Sequence, residues 1–283
     1  MGNVISRRDV LRTTAAALAV PAASVLHAQG KKRIPIALQL YSVRDACAGG
    51  FDAALRSVAE MGFEGVEFAG YYKYAEDAPG LKKKLDELGL KAAGTHIGAG
   101  LLQGDALRKS VDFHKAIGCR FLIVPGDRRF TDPEKSKEYA EFMNKTAEAL
   151  GPESMLCGHH NHSQEFRKDG DKTFWDLFAE RTRKDVILQQ DVGHSTAAGA
   201  DPVALVRKYP GRTRSTHIKA HGPKPFIGQD ATDWKGYVTA CYDVGGTDWF
   251  ILEQEEYPDG KTSMEATRIS LDGFRGILKG LGK

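Results

Sequence analysis

Short apolar runs alternate with segments of helical periodicity along most of this 283-residue sequence, and this alternation restricts the fold more than any other feature. Each run is rich in Ile, Val, Leu or Phe and is bounded by glycine or polar residues, a pattern typical of strands in a buried parallel sheet. The predicted strands cover residues 35–41, 65–68, 91–96, 121–124, 155–160, 186–191, 215–219 and 249–253.

The segments between these runs carry the periodicity of amphipathic helices. Phe51, Leu55 and Val58, for example, recur at the spacing of one helix face. The predicted helices cover residues 51–61, 80–88, 105–117, 133–150, 173–180, 202–208, 233–244 and 265–278. Because strands and helices alternate strictly, the sequence predicts an α/β fold of one domain, a (β/α)8 TIM barrel. No GxGxxG motif follows the first predicted strand and no P-loop occurs, which disfavours an open doubly wound sheet.

The N-terminus predicts an export signal that does not belong to the barrel. Within residues 1–28, the pair Arg7 and Arg8 precedes a weakly apolar stretch at 13–26 and a small-residue cleavage pattern. This order is typical of a twin-arginine signal peptide, and an ordinary N-terminal amphipathic helix is the alternative. We therefore expect the mature barrel to comprise residues 29–283 and to be located in the periplasm.

Charge, hydropathy and cysteine content exclude several classes of protein. Removing the three arginines and one aspartate of the predicted signal lowers the net charge from +3 to about +1, which argues against a nucleic-acid partner. The apolar stretch near the N-terminus is too short for a transmembrane helix, so we expect no stable membrane insertion. The four cysteines form no CxxC pair, and free buried thiols are expected.

Four potential metal ligands lie near the ends of the last four predicted strands. They are His160, Asp191, His217 and Glu253. The carboxyl ends of parallel barrel strands converge on one mouth, and alternation along each strand lets these four side chains point into it. Two histidines and two carboxylates suit Mn²⁺, Co²⁺ or Zn²⁺. A structural cluster of polar residues that pair with one another is the alternative.

Six short segments carry a family resemblance. They are LQLYSVRD at 38–45, GFEGVEF at 62–68, HHNHSQEF at 159–166, DVGH at 191–194, HIK at 217–219 and EQE at 253–255. In this order and spacing, the sequence resembles the xylose isomerase-like TIM-barrel superfamily, in its sugar phosphate isomerase/epimerase branch. The resemblance implies a divalent metal (Mn²⁺, Co²⁺, Mg²⁺ or Zn²⁺) held by one residue from each of the last four strands, which are His160, Asp191, His217 and Glu253.

The resemblance also implies residues that contact a small-molecule sugar or keto-sugar. These substrate-binding residues are Glu67, His96, His162, His194 and Lys219. Of these residues, His194 and Lys219 would stabilise negative charge that develops on the substrate. The alternative role of Lys219 is an ion pair with Glu253 or Asp191. The alternation along the fifth strand points His162 to the same side as His160. The alternative role of His162 is to orient the metal ligands. No phosphate-binding motif is evident, so we expect a neutral sugar as substrate.

One departure from the family bears on the reaction. Many epimerases of the superfamily carry glutamate on both the fifth and the eighth strand, whereas the fifth strand here ends in His160. With Glu253 as the single glutamate and candidate base, the sequence predicts a metal-dependent isomerase or epimerase that acts through an enediolate. A lyase or dehydratase acting on a keto-sugar or keto-glycoside is the alternative. An endonuclease IV-like nuclease and a non-catalytic sugar-binding barrel are further alternatives, and homo-oligomerisation is left open.

Overall fold

The computed structural model describes Met1 and residues 33–283. The predicted export signal, including Arg7 and Arg8, lies outside the described residues. Residues Arg33–Lys283 form one compact unit. Among the described residues, no helix combines the length and the apolar character needed to cross a membrane.

Eight parallel strands close into a barrel, as the alternation of apolar runs predicted. They are β1 (Ile36–Gln39), β2 (Gly65–Phe68), β3 (Lys91–His96), β4 (Phe121–Val124), β5 (Leu156–His160), β6 (Ile187–Asp191), β7 (Ser215–Ile218) and β8 (Trp249–Leu252). Each strand pairs with the next along the chain, and β8 pairs with β1. The predicted (β/α)8 TIM barrel in a single domain is confirmed.

Ten α-helices are found among the described residues, most of them between consecutive strands. They span Arg44–Gly49, Phe51–Glu60, Ala78–Leu88, Gly104–Ala116, Ser136–Leu150, Phe174–Arg181, Val192–Ala197, Pro202–Lys208, Trp234–Ala240 and Ser263–Gly280. Several begin at an aspartate or threonine whose side chain accepts a hydrogen bond from the first turn, such as Asp201 and Thr262. These caps explain why the helices start where they do.

The structure corrects some predicted boundaries. β1 ends at Gln39, because the Gln39 side chain accepts a hydrogen bond from the Tyr41 backbone and starts a 3₁₀ turn over Leu40–Val43. The helix predicted to reach residue 244 is α-helical only to Ala240 and continues as a π-helix over Cys241–Gly245. The helices Arg44–Gly49 and Val192–Ala197 were missed, since six residues are too few to show a helical period.

The core lies mainly between the strands and the surrounding helices. Leu55 and Val58, from the helix face read in the sequence, are fully buried there. Burial of side chains of this size contributes roughly 1.5–3 kcal/mol each. The four cysteines are free and buried, as expected. Burial raises the pKa of each thiol to about 12.

Inside the barrel, the chemical character changes from one end to the other. Apolar residues such as Ile123, Ile187 and Ile251 fill part of the interior. At the carboxyl ends of β2, β5, β6 and β7, by contrast, the buried side chains are polar. Gly94 of β3 lies opposite Glu67 of β2. A Cβ atom at position 94 would lie 2.8 Å from Oε1 of Glu67, so the glycine makes room for a carboxylate in the barrel.

Candidate metal centre and active site

The carboxyl ends of β5 to β8 bring together the four residues that the sequence singled out as metal ligands. His160 and Asp191 end their strands, His217 lies in β7, and Glu253 directly follows β8. One potential ligand atom from each of the four lies within 4.8 Å of the others, and all four side chains are buried. Histidine, aspartate and glutamate groups are thus placed to bind a metal, although their role as ligands stays a prediction.

His217 has one ring nitrogen that is available to a metal. Its Nε2 donates a 2.6 Å hydrogen bond to Oε2 of Glu67. Its Nδ1 therefore faces the other carboxylates, 3.1 Å from Oε2 of Glu253 and 3.8 Å from Oδ2 of Asp191. Without a metal, burial lowers the pKa of His217, but Glu253 and Glu67 outweigh burial and raise this pKa to about 10.

His160 is oriented in a similar way by the neighbouring strand. The Gln189 amide nitrogen donates to Oε1 of Glu67 at 2.7 Å and to Oγ of Ser215 at 2.9 Å. The Gln189 oxygen then accepts from Nδ1 of His160 at 3.2 Å, which leaves Nε2 of this ring without a proton. Burial, followed by the proximity of His217, holds the pKa of His160 well below its usual value. A neutral imidazole is the form that binds metals.

Asp191 connects the potential metal centre to the short helix Val192–Ala197. Its Oδ1 caps this helix by accepting the backbone N–H of His194 at 2.7 Å. Its Oδ2 is buried and has no hydrogen-bond partner among the described residues. Burial raises the pKa of Asp191 to about 7. The charge of Lys219 opposes this shift, and the charge of Glu253 adds to it. A buried carboxylate oxygen without a partner is costly, and a bound cation would satisfy it, so the residues present fit a divalent metal.

Glu253 completes the set as an ionised carboxylate. Burial alone would raise its pKa, but His217 and Lys219 together hold this pKa well below its ordinary value. The ionised carboxylate is the form of this side chain that binds a metal. Two histidines and two carboxylates suit several divalent transition metals, so the choice among them stays open.

Glu67 lies underneath the four potential ligands rather than at the open mouth. It is fully buried, and it accepts hydrogen bonds from the side-chain amides of Gln39 at 2.8 Å and Gln189, in addition to His217. Nε2 of His96 lies 3.2 Å from the same oxygen that His217 contacts. With both oxygens engaged, Glu67 is placed to orient His217, and its contact with substrate stays a prediction.

His96 occupies a position between this buried layer and the mouth. Its ring stacks on that of His217 with centroids 5.2 Å apart, and its Nε2 donates to the Gln189 oxygen at 2.9 Å. Its side chain is slightly exposed, with 13% of its surface accessible. His96 is therefore placed beside His160 and His217, and its contact with substrate stays a prediction.

Lys219 carries a positive charge at the mouth and contacts His194. Nζ of Lys219 lies 3.0 Å from Nε2 of His194 and 3.5 Å from Oε2 of Glu253, and it forms an ion pair with Glu255. Burial lowers the pKa of Lys219, but Asp191 and these two glutamates raise it above its usual value. Since a charged lysine only donates, Nε2 of His194 accepts its hydrogen bond.

The environment of His194 keeps this ring neutral. Burial, followed by the nearby Lys219 charge, lowers the pKa of His194 to about 3. The half-buried His162 lies beside it, with ring centroids 4.7 Å from His194 and 5.0 Å from His160. The structure thus brings the predicted site residues together near the carboxyl ends of the strands, with Glu67 buried next to His217.

Sequence reasoning missed several residues that hold this site. Gln39 and Gln189 contact Glu67, and the fully buried Glu165 contacts His162. The alternation of side chains along the strand already predicted that Gln189 points to the same side as Asp191. Nothing in the sequence alone, however, distinguished these polar residues from others near strand ends.

Comparison with known proteins agrees with this geometry. Residues 55–276 match the model of the xylose isomerase-like TIM barrel family. The chain belongs to this family. An inosose dehydratase from Geobacillus kaustophilus (strain HTA426) is 24% identical over 252 residues, which cover 73% of this chain and 80% of that protein.

Solved structures of similar proteins show the same fold. Two sugar phosphate isomerase/epimerase structures from Parabacteroides distasonis ATCC 8503 superpose with TM-scores of 0.74 and 0.72, at 22% and 25% identity. Each match covers 84% of this chain, and 92% and 96% of the respective structures. Enzymes are thus found among the similar proteins, although the identities are too low to transfer a particular reaction.

Proposed function

We propose that this protein is a divalent-metal-dependent enzyme that removes a proton from the carbon next to the carbonyl group of a neutral sugar or keto-sugar. Isomerisation through an enediolate is the reaction that we infer first. The observation that carries the proposal is the buried cluster of His160, Asp191, His217 and Glu253, in which one Asp191 oxygen has no partner among the described residues. Its place at the carboxyl ends of the strands is where barrel enzymes hold their active sites.

These four residues would hold the metal, and the metal would polarise the substrate carbonyl and acidify the neighbouring C–H bond. Glu253 is the candidate base, because it is the single glutamate among the four potential ligands. Lys219 is charged and lies close to Glu253. It would therefore stabilise negative charge that develops on a substrate oxygen.

A β-elimination that releases water or an alcohol is the second candidate. The similarity to an inosose dehydratase over 80% of its length favours it. Elimination and isomerisation share the first step, in which the base takes the proton on carbon. In elimination, the electron pair then expels an oxygen substituent, which leaves with a proton from a donor at the mouth, such as His162. The two candidates therefore differ only after the first step.

Product analysis in D₂O tests the proposal and separates the two candidates. The purified barrel would be loaded with Mn²⁺, Co²⁺, Mg²⁺ or Zn²⁺ and incubated with a panel of aldoses, ketoses and cyclic keto-sugars. Isomerisation yields an isomer that carries solvent deuterium, whereas elimination yields an unsaturated product that lacks one water or one alcohol. Binding of a sugar without exchange or turnover under any metal would indicate a non-catalytic barrel, and cleavage of abasic DNA would indicate a nuclease.

A further inference from the structure

The loop that follows β7, residues 221–228, is buried in one part and exposed in another. Residues 225–227 are buried, whereas His221, Pro223 and Lys224 are exposed. Loops at the carboxyl ends of barrel strands surround the active site. The exposed part therefore lies at the end of the barrel that carries the potential metal ligands, and the buried part determines where it is held.

Gln254 holds the buried part of this loop. Its side-chain nitrogen donates to the carbonyl oxygens of Pro225 at 2.9 Å and Glu256 at 2.6 Å, and its side-chain oxygen accepts the hydroxyl of Ser270. Its backbone N–H donates to Oγ of Ser42 at 3.0 Å. The residue is only 3% exposed, and both hydrogens of its amide have an acceptor. One buried side chain thus joins the loop to the segment that follows β8.

The last helix, Ser263–Gly280, supports the loop from another side. The backbone N–H of Ile227 donates to Oγ of Ser270 at 3.4 Å. A Cβ atom at position 273 would overlap the carbonyl oxygen of Ile227, so the glycine there permits this close approach. A Cβ atom at Gly276, nearly one turn further along, would meet nothing within 4 Å. The loop therefore packs directly on the backbone of this helix.

Asp230 joins the two ends of the loop. Its Oδ2 accepts the backbone N–H of His221 at 3.5 Å, and its Oδ1 accepts that of Gly228 at 3.3 Å. Oδ1 also accepts the indole N–H of the buried Trp234 at 2.7 Å. Both the ends and the middle of the loop are thus attached to the barrel.

We propose that Gln254 is a positioning residue, which holds the loop after β7 as a fixed wall beside the proposed active site. Many enzyme loops instead open and close over the substrate, and each closure costs ordering free energy. Gln254 directly follows Glu253, and the loop begins two residues after Lys219. The contact of this wall with a sugar rests on the proposed function, whereas the attachment of the loop to the barrel does not.

Hydrogen exchange of the loop amides tests the attachment without a substrate. In the substrate-free protein, mass spectrometry would follow residues 226–229, and we expect slow exchange in the wild type. Gln254→Met keeps the approximate size but removes both donors, so exchange should become about 10-fold faster, as expected when a local opening breaks one or two hydrogen bonds fewer. Gln190→Met is the matched control, because the buried Gln190 adjoins Asp191 and its amide donates to the carbonyl oxygen of Pro202 at 3.2 Å.

Gly273→Ala displaces the loop by a second route that leaves Gln254 intact. Its added methyl group would meet the carbonyl oxygen of Ile227, so the same amides should exchange faster than in the wild type. Gly276→Ala, the same change on the same helix, should keep the wild-type rate. Fast exchange in the wild type would overturn the proposal, and so would a wild-type rate in Gln254→Met. If thermal unfolding shows that Gln254→Met does not fold, the wild type and Gly273→Ala decide the question.

Turnover shows whether the wall serves the reaction once a substrate is known. Gln254→Met and Gly273→Ala should each raise KM by about 10-fold, because binding must then order the loop. The value of kcat and the metal content should stay close to those of the wild type, which a general loss of structure would not allow. An unchanged KM in both variants would overturn the role of the loop as a wall. If the wild type turns over no sugar, the proposed function fails, while the exchange rates still decide whether the loop is fixed.

Discussion

Nε2 of His217 lies 2.6 Å from Oε2 of Glu67, and this hydrogen bond joins β7 to β2 across the interior of the barrel. It assigns Nδ1 of His217 to the side where Asp191 and Glu253 lie. The same carboxylate holds Gln189, which in turn orients His160. One buried glutamate therefore determines the orientation of both histidines that the proposed metal site uses.

Glu67→Gln should weaken metal binding without removing a ligand. The glutamine still accepts a hydrogen bond but lacks the charge that strengthens the His217 donor, and such changes typically cost 10- to 100-fold in metal affinity. Competition with a chelator would measure the affinity. Glu64→Gln is the matched control, because Glu64 pairs with Arg33 and does not touch the site. Equal affinities in the two variants would contradict the orienting role.

Asp191 caps the helix Val192–Ala197 and is a proposed metal ligand. The variants Asp191→Asn and Asp191→Ala should separate these two roles. Asparagine can still cap the helix Val192–Ala197, so Asp191→Asn should fold normally but bind metal poorly, because it lacks the anionic oxygen. Asp191→Ala should lose metal and, in addition, about 0.5–2 kcal/mol from the missing cap. Elemental analysis and thermal unfolding of the chelated proteins would measure both effects. Full metal occupancy in both variants would remove Asp191 from the ligand set.

Metal binding should release protons and should weaken as the pH falls. In the metal-free protein the pKa of His217 is raised to about 10, so this ring is protonated at neutral pH and must lose a proton to bind a metal. The raised pKa of Asp191, about 7, adds a second proton at lower pH. Below pH 10 the affinity should therefore fall ~10-fold per pH unit, and more steeply below pH 7. Calorimetry at pH 8 in buffers of different ionisation enthalpy should show about one proton released, and release of none would refute the His217 assignment.

Glu253→Gln should nearly abolish exchange of the substrate proton with D₂O. Glutamine keeps the size and one potential ligand oxygen but removes basicity, and loss of a general base typically costs ~10²–10⁴-fold in rate. The exposed Glu256→Gln is the control. If Glu253→Gln exchanges as fast as the wild type, the base lies elsewhere. His162 would then be the candidate, because Lys219 is charged and Glu67 is enclosed.

We also propose that residues 1–28 direct export of the folded barrel to the periplasm. Replacing both Arg7 and Arg8 with lysine should leave the precursor in the cytoplasm, since the arginine pair is the feature that this export route requires. Fractionation and immunoblotting would show this, with Arg12→Lys as the control. Normal processing and export of the double-lysine variant would rule out the twin-arginine route.

The sequence by itself determined the barrel and the positions of the potential ligands. Apolar runs and helical periodicity depend on residues close together in the chain, so eight strands and the parity of residues such as His160 and Asp191 were readable from it. Short helices such as Val192–Ala197 were missed, because six residues are too few to show a helical period.

Only the tertiary structure decided how the site is held. His217 and Glu67 are 150 residues apart in sequence, and only closure of the barrel makes them neighbours. The ring nitrogen that each histidine offers depends on such a contact, as with Gln189 for His160. The burial of Glu67 beside His217 has the same cause. Hydrogen bonds between distant strands leave no periodic trace in a sequence, because they depend on which side chains meet after folding.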